Sequence, residues 1–238
     1  GKTPGVFFYK TQGGDQGTRA FLMNLYGGAT LLNGDYSKYT FNTSQAVKNV
    51  TWTVNAMKKG LLLDGKEATS NDAIKMFVES NAAHTILYSP QLNKMYDGKR
   101  SYKGKNFTPI YMPFPNDSGK PVLEFIVGGP CVFNNGDNAK IMAAKKLAAF
   151  IATDSEWAPK VIAASGLFPV SNKIKVELKT DEQKWNANAV KFFGAYYNHL
   201  SSFTEMRTYW FPAMQAALNG QNAQKTLDTF VKQSNAIK

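Results

Sequence analysis

Two histidines, His84 and His199, and one cysteine, Cys131, are the whole supply of soft metal ligands in this chain. Neither histidine has a second ligand at metal-binding spacing, so no metal site is expected. His84 heads an apolar run, where a packed or hydrogen-bonded histidine is the ordinary outcome, and the lone Cys131 rules out an internal disulfide framework. No Gly-x-Ser-x-Gly nucleophile elbow occurs. Residues 98–105 resemble a phosphate loop, but the spacing is one residue too long and Asn106 stands where the metal-binding Ser or Thr would be. A glycosidase needs two opposed carboxylates. Many of the 17 acidic residues stand instead where helix caps belong: Asp72, Asp154, Glu156, Asp181 and Glu182. The residue types speak for binding rather than catalysis, with no cofactor.

At 238 residues, 43% of them hydrophobic and 13% aromatic, the chain is long and apolar enough for one large domain or two lobes. No apolar run approaches the roughly 18 residues of a membrane helix. The formal charge of +11 raises nucleic-acid binding, which would concentrate the lysines in one patch. They are spread along the chain, with one modest cluster, Lys94, Lys99, Arg100, Lys103 and Lys105, interleaved with Tyr96 and Tyr102. The expectation is a solvated loop, no nucleic-acid partner, and some attraction to an anionic envelope surface. Asn-x-Ser/Thr sequons at Asn42, Asn49, Asn106 and Asn116 are the number an Asn-rich chain carries by chance.

The elements that must position any binding group follow in order. Residues 6–9 predict a strand and 18–26 an apolar helix ended by Gly27 and Gly28. Asn33-Gly34-Asp35 marks a turn, and 39–41 a short extended piece. Asn42, with Gln45 three residues on, reads as the N-cap of an amphipathic helix whose apolar face is Val47, Val50, Val54 and Met57. Lys58, Lys59 and Gly60 close it. A short helix starts at Ser70 or Asn71, 83–88 reads as a buried strand, and Pro90 opens a short helix through Tyr96. Strands are expected over 107–112 and 122–133, then a helix from Asp137 or Asn138 with Ile141, Ala144, Ala148 and Ile151 on one face. Thr153 with Glu156 and Thr180 with Gln183 read as capping boxes. The first opens a helix ending at Gly166, the second a long helix with Trp185, Ala189, Phe192, Tyr196 and Leu200 as its stripe. Helices over 205–218 and 222–237 finish an α/β chain.

Several segments, in order, resemble the sugar-binding proteins of ABC importers related to the maltodextrin- and glycerol-phosphate-binding proteins (extracellular solute-binding protein family 1). They are Tyr26-Gly27-Gly28 through Asn33; Phe41-Asn42-Thr43-Ser44 with its helix and the Lys58-Lys59-Gly60 ending; Met76-Phe77 followed by 83–90; Met112-Pro113-Phe114-Pro115 and Val127-Gly128-Gly129; and Thr153 to Glu156 followed by Gly166-Leu167-Phe168-Pro169-Val170. Asn81 replaces the family's usual Gly, and Gln91 the aromatic that often follows its Gly-Pro. The resemblance implies a two-lobed, periplasmic-binding-protein-like (type II) α/β fold. Residues 1–107 and 172–238 would form the C-terminal lobe and 108–171 part of the N-terminal lobe. Residues 108–112 and 169–173 would pass as hinge strands or linkers, and the first half of the N-terminal lobe would be absent, as in a truncated chain. Such a chain would associate with its missing part or with another copy.

The same resemblance places a ligand in the cleft between lobes, trapped by closure about the hinge. A sugar needs fixed donors and acceptors for its hydroxyls and aromatic faces for its C–H surfaces. Asp15 and Gln16 follow Gly13-Gly14 at a helix start, where Asp15 reads equally as a cap. Tyr88 and Gln91 end a buried strand. Gly128 and Gly129 allow close approach to the backbone. Arg207, Tyr209 and Trp210 follow Glu205 on a helix; adjacent Tyr and Trp cannot both face one core, so ligand stacking and packing are both open for Trp210. Arg19 and the glycine loop also suit an anion at a helix N-terminus. An anionic, glycerol-phosphate-like solute is therefore the first alternative to a sugar or oligosaccharide, and a carbohydrate-active enzyme the second. The implied partners are ABC permease subunits. The implied location is extracytoplasmic, as a cell-surface lipoprotein or a periplasmic protein.

Overall fold

The computed structural model describes residues 5–8, 15–79, 81–86, 101–102, 105–106, 109–124, 128–165, 167–169, 171–194 and 199–237. The chain divides into two compact units, 1–124 with 191–238, and 125–190. Both divisions fall later than the 107/108 and 171/172 boundaries that the resemblance implies.

In the larger unit β1 (Gly5–Phe8) pairs in parallel with β2 (Leu62–Gly65), and Gly5 also bridges His84 in parallel. Parallel neighbours need a long crossover, and α1 (Asp15–Asn24) and α2 (Ser44–Lys58) lie within it. The cap of α2 is Thr43, whose Oγ1 accepts from the Ala46 amide at 3.3 Å, and not Asn42 as expected. Asn42 lies one residue too early and donates instead to Asp228 Oδ1 at 2.8 Å. The other end of α2 follows the sequence: Lys59 is the C-cap, and Gly60 takes the left-handed φ of +69° that only glycine adopts without strain. A capping box of Thr69 and Asp72 opens α3 (Ser70–Val78). β3 (Ser101–Tyr102) and β4 (Lys105–Asn106) form a small antiparallel pair.

The last two helices of this unit, α7 (Phe203–Leu218) and α8 (Ala223–Asn235), pack on each other and on α2. The core they share includes Leu31, Phe41, Val50, Met206, Trp210 and Phe230. Asn235 clamps Tyr39 of the 31–41 hairpin, accepting from its amide at 2.8 Å and donating to its carbonyl at 2.9 Å.

The described residues of the expected strands, 109–112, 122–124 and 128–133, make no ladder. Leu123 forms one parallel bridge to Phe193, with its carbonyl accepting from the Gly194 amide at 3.0 Å. Ile110 is 87% and Met112 63% exposed; an apolar run without a partner strand stays extended and open. Side chains of α1 hold 109–124 in place. The Asn24 amide donates to Val122 O at 2.6 Å and accepts from Val122 N at 2.7 Å and Asn116 Nδ2 at 3.1 Å, and Phe114 meets Phe21 edge-on at 6.2 Å.

The smaller unit contains α4 (Asn138–Thr153), α5 (Trp157–Ser165) and α6 (Asp181–Ala189). Asp137 caps α4 as expected, accepting from the amides of Ala139 and Lys140. The box expected of Thr153 and Glu156 does not form. Thr153 is still helical, and its hydroxyl donates back to Ala149 O at 2.7 Å. Asp154 takes over, accepting from the Glu156 and Trp157 amides. The Thr180–Gln183 box does form. Its helix stops at Ala189, far short of Leu200, in a 3₁₀ turn over Val190–Phe192, because the backbone at 192–194 is committed to the bridge with Leu123. α4 has no buried residue, and Met142, Leu147, Phe150 and Trp157 all stand exposed. The expected helix over 90–96, with Lys94, lies outside the described residues, as do Lys99, Arg100 and Lys103.

Replacing the largest core side chain tests this packing. Trp210→Ala should lose about 3–5 kcal/mol in equilibrium denaturation, and Trp210→Phe clearly less. A loss under about 1 kcal/mol in Trp210→Ala would mean that the ring is not the centre of the core.

Candidate functional site

Asp15 is the first residue of α1, and Arg19 lies one turn on, on the same face. Both side chains are fully buried and ion-paired to each other. Arg19 also forks onto Glu124, donating from Nε to Oε1 at 3.0 Å and from Nη2 to Oε2 at 3.1 Å. From α7, Arg207 forks onto the other side of Asp15, with Nε to Oδ2 at 2.8 Å and Nη2 to Oδ1 at 2.6 Å. Four alternating charges thus form one chain, Arg207–Asp15–Arg19–Glu124. Only Arg207, 28% exposed, reaches solvent appreciably. Aromatic rings line the buried end: the Arg19 guanidinium lies over Phe203 at 5.3 Å and Trp210 at 5.7 Å. The Trp210 indole donates to Thr18 Oγ1 at 3.1 Å, and that hydroxyl donates to Asp15 O at 3.0 Å.

Burial pushes the Asp15 carboxyl up, but the Arg207 hydrogen bonds, with the charge and hydrogen bonds of Arg19, override it and bring the pKa down to about 2. Burial likewise pulls Arg19 down, and the carboxylates of Glu124 and Asp15 more than offset it, raising its pKa. Arg207 is raised by its hydrogen bond to Asp15 against a smaller effect of burial. Asp15, Arg19 and Arg207 stay charged throughout the physiological range.

Three of the candidate residues, Asp15, Arg19 and Arg207, come together in this cluster, and Trp210 stands against it. Two of the expected roles are corrected. Arg19 cannot take an anion, since it is sealed from solvent and its donors are committed to two carboxylates. Trp210 has no open face for a sugar, because its ring is buried between Phe41 at 5.3 Å and Phe230 at 5.6 Å. Tyr209 is the partly exposed member of the pair, packed along the edge of the core. Gly128 and Gly129 are exposed residues of the smaller unit, with no atom within 4 Å of where a side chain would begin. The side chain of Gln16, and Tyr88 and Gln91 entirely, lie outside the described residues. Glu124 was missed. Its signal was a single carboxylate inside the apolar run 121–127, which can be buried only if paired. Among the described residues no three His, Cys, Asp or Glu side chains converge as a metal site requires, and no helix is long and apolar enough to cross a membrane.

The chain has the fold of periplasmic binding proteins. It matches maltose-bound T. maritima MalE3 with a TM-score of 0.67 at 15% identity, over 98% of this chain and 60% of that one. A solute-binding protein of an ABC transporter from Agrobacterium radiobacter K84, in complex with ribitol, gives 0.67 at 15%, over 98% and 59%. The cyclic alpha-maltosyl-1,6-maltose binding protein from Arthrobacter globiformis gives 0.61 at 17%, over 98% and 59%. Gly1–Lys238 therefore spans about 60% of the length of these structural neighbours. No protein-family model and no curated protein sequence matches the chain.

The depressed pKa of Asp15 has a definite sign in stability. A carboxyl whose folded pKa lies below its ordinary 3.8 stabilises the fold above that value and ceases to do so as pH falls through 3.8 toward 2. The loss is on the order of 2 kcal/mol. Urea titrations at pH 5 and pH 2 should show Asp15→Asn losing less stability than the parent chain over that interval, by about this amount. Equal losses would assign the acid sensitivity elsewhere.

Proposed function

We propose that this chain is the solute-binding component of a bacterial ABC importer, capturing a sugar or oligosaccharide in a cleft between lobes and passing it to permease subunits in the membrane. The observation that carries the proposal is the likeness of 98% of the chain to solved solute-binding proteins, among them those bound to maltose and ribitol. In this reading the larger unit is most of the C-terminal lobe and the smaller unit belongs to the N-terminal lobe. The location is extracytoplasmic, periplasmic or on a lipid anchor. The exposed apolar side chains of α4 and α5 support a further polypeptide surface covering the smaller unit.

The cluster favours this reading over both alternatives. An anionic, glycerol-phosphate-like solute loses its main support once Arg19 is buried and neutralised. For glycoside hydrolysis a carboxyl must either carry a proton at neutral pH or face the substrate. Asp15 does neither, since it is held ionised and both its oxygens are taken by arginines. Binding without turnover is the expected behaviour.

Calorimetric titration with maltose, ribitol and tagatose, using the longest natural polypeptide that contains Gly1–Lys238, should show saturable binding of at least one of them. Chromatography of the recovered sugar should show it unaltered. Appearance of a hydrolysis product would turn the assignment to a carbohydrate-active enzyme.

A further inference from the structure

We draw no further inference here: the strongest candidate, the apolar side chains of Met142, Leu147, Phe150 and Trp157 left exposed on α4 and α5 of the smaller unit, carries nothing because nothing among the described residues shows what covers them.

Discussion

The carboxylate of Asp15, held between two guanidinium groups and sealed from water, is the constraint on which the arrangement of the larger unit depends. Such a group is costly to bury unless it is paired and hydrogen-bonded, and here the fork of Arg207 and a single bond from Arg19 engage both of its oxygens. The pairing adds little net stability over an apolar core of the same shape, because the Coulomb gain is largely consumed by the desolvation of four charges. Its consequence is geometric. Removing one partner leaves a buried unpaired charge, so α1, α7 and the segment ending at Glu124 are held in one relative position with little tolerance for others.

Hydrophobic burial supplies the stability that the ion chain does not. Phe41, Met206, Trp210 and Phe230 close the core around the aromatic side of Arg19, and Trp210 joins the two systems by giving its indole N–H to Thr18 beside Asp15. The segment 109–124 depends on both. It has no ladder of its own over its described residues, yet Asn24 takes the backbone of Val122 as a neighbouring strand would, and Arg19 fixes the residue next but one. The smaller unit differs in kind. α4 and α5 carry apolar side chains on more faces than they bury, and helices of this composition are ordinarily covered.

What was legible in the sequence was whatever a few neighbouring residues decide. Asp137, the Thr180–Gln183 box, and Lys59 with Gly60 each mark a helix end through bonds spanning at most a handful of positions, and each does so in the structure. The misses at Asn42 and Thr153 are local competitions: a better oxygen stood one residue along in both cases, at Thr43 and Asp154. The longer errors arise where distant chain decides. A strand over 122–133 required partners that the described residues do not provide, and the helix from Asp181 was cut short by a bridge to Leu123. At the candidate site the residue types Asp15, Arg19 and Arg207 were legible as polar groups of interest. Their division of labour was not, because it turns on Glu124, which pairs with Arg19 across 105 positions.

Burial then decides between readings that residue type leaves open. Arg19 and Arg207 are the same residue type, four and 192 positions from the Asp15 they share, and sequence alone favours Arg19 as the anion site because a glycine loop precedes it. A guanidinium that makes its forks in the interior is a structural group however suggestive its neighbours are, whereas one that makes a single fork and stays partly open retains donors for a ligand. Trp210 follows the same logic, since a ring can stack on a sugar only through a face the core has not already taken. Any recognition chemistry in the cluster is thereby confined to its one solvent-facing member, Arg207. Asp15, behind it, fixes that residue's direction through two hydrogen bonds.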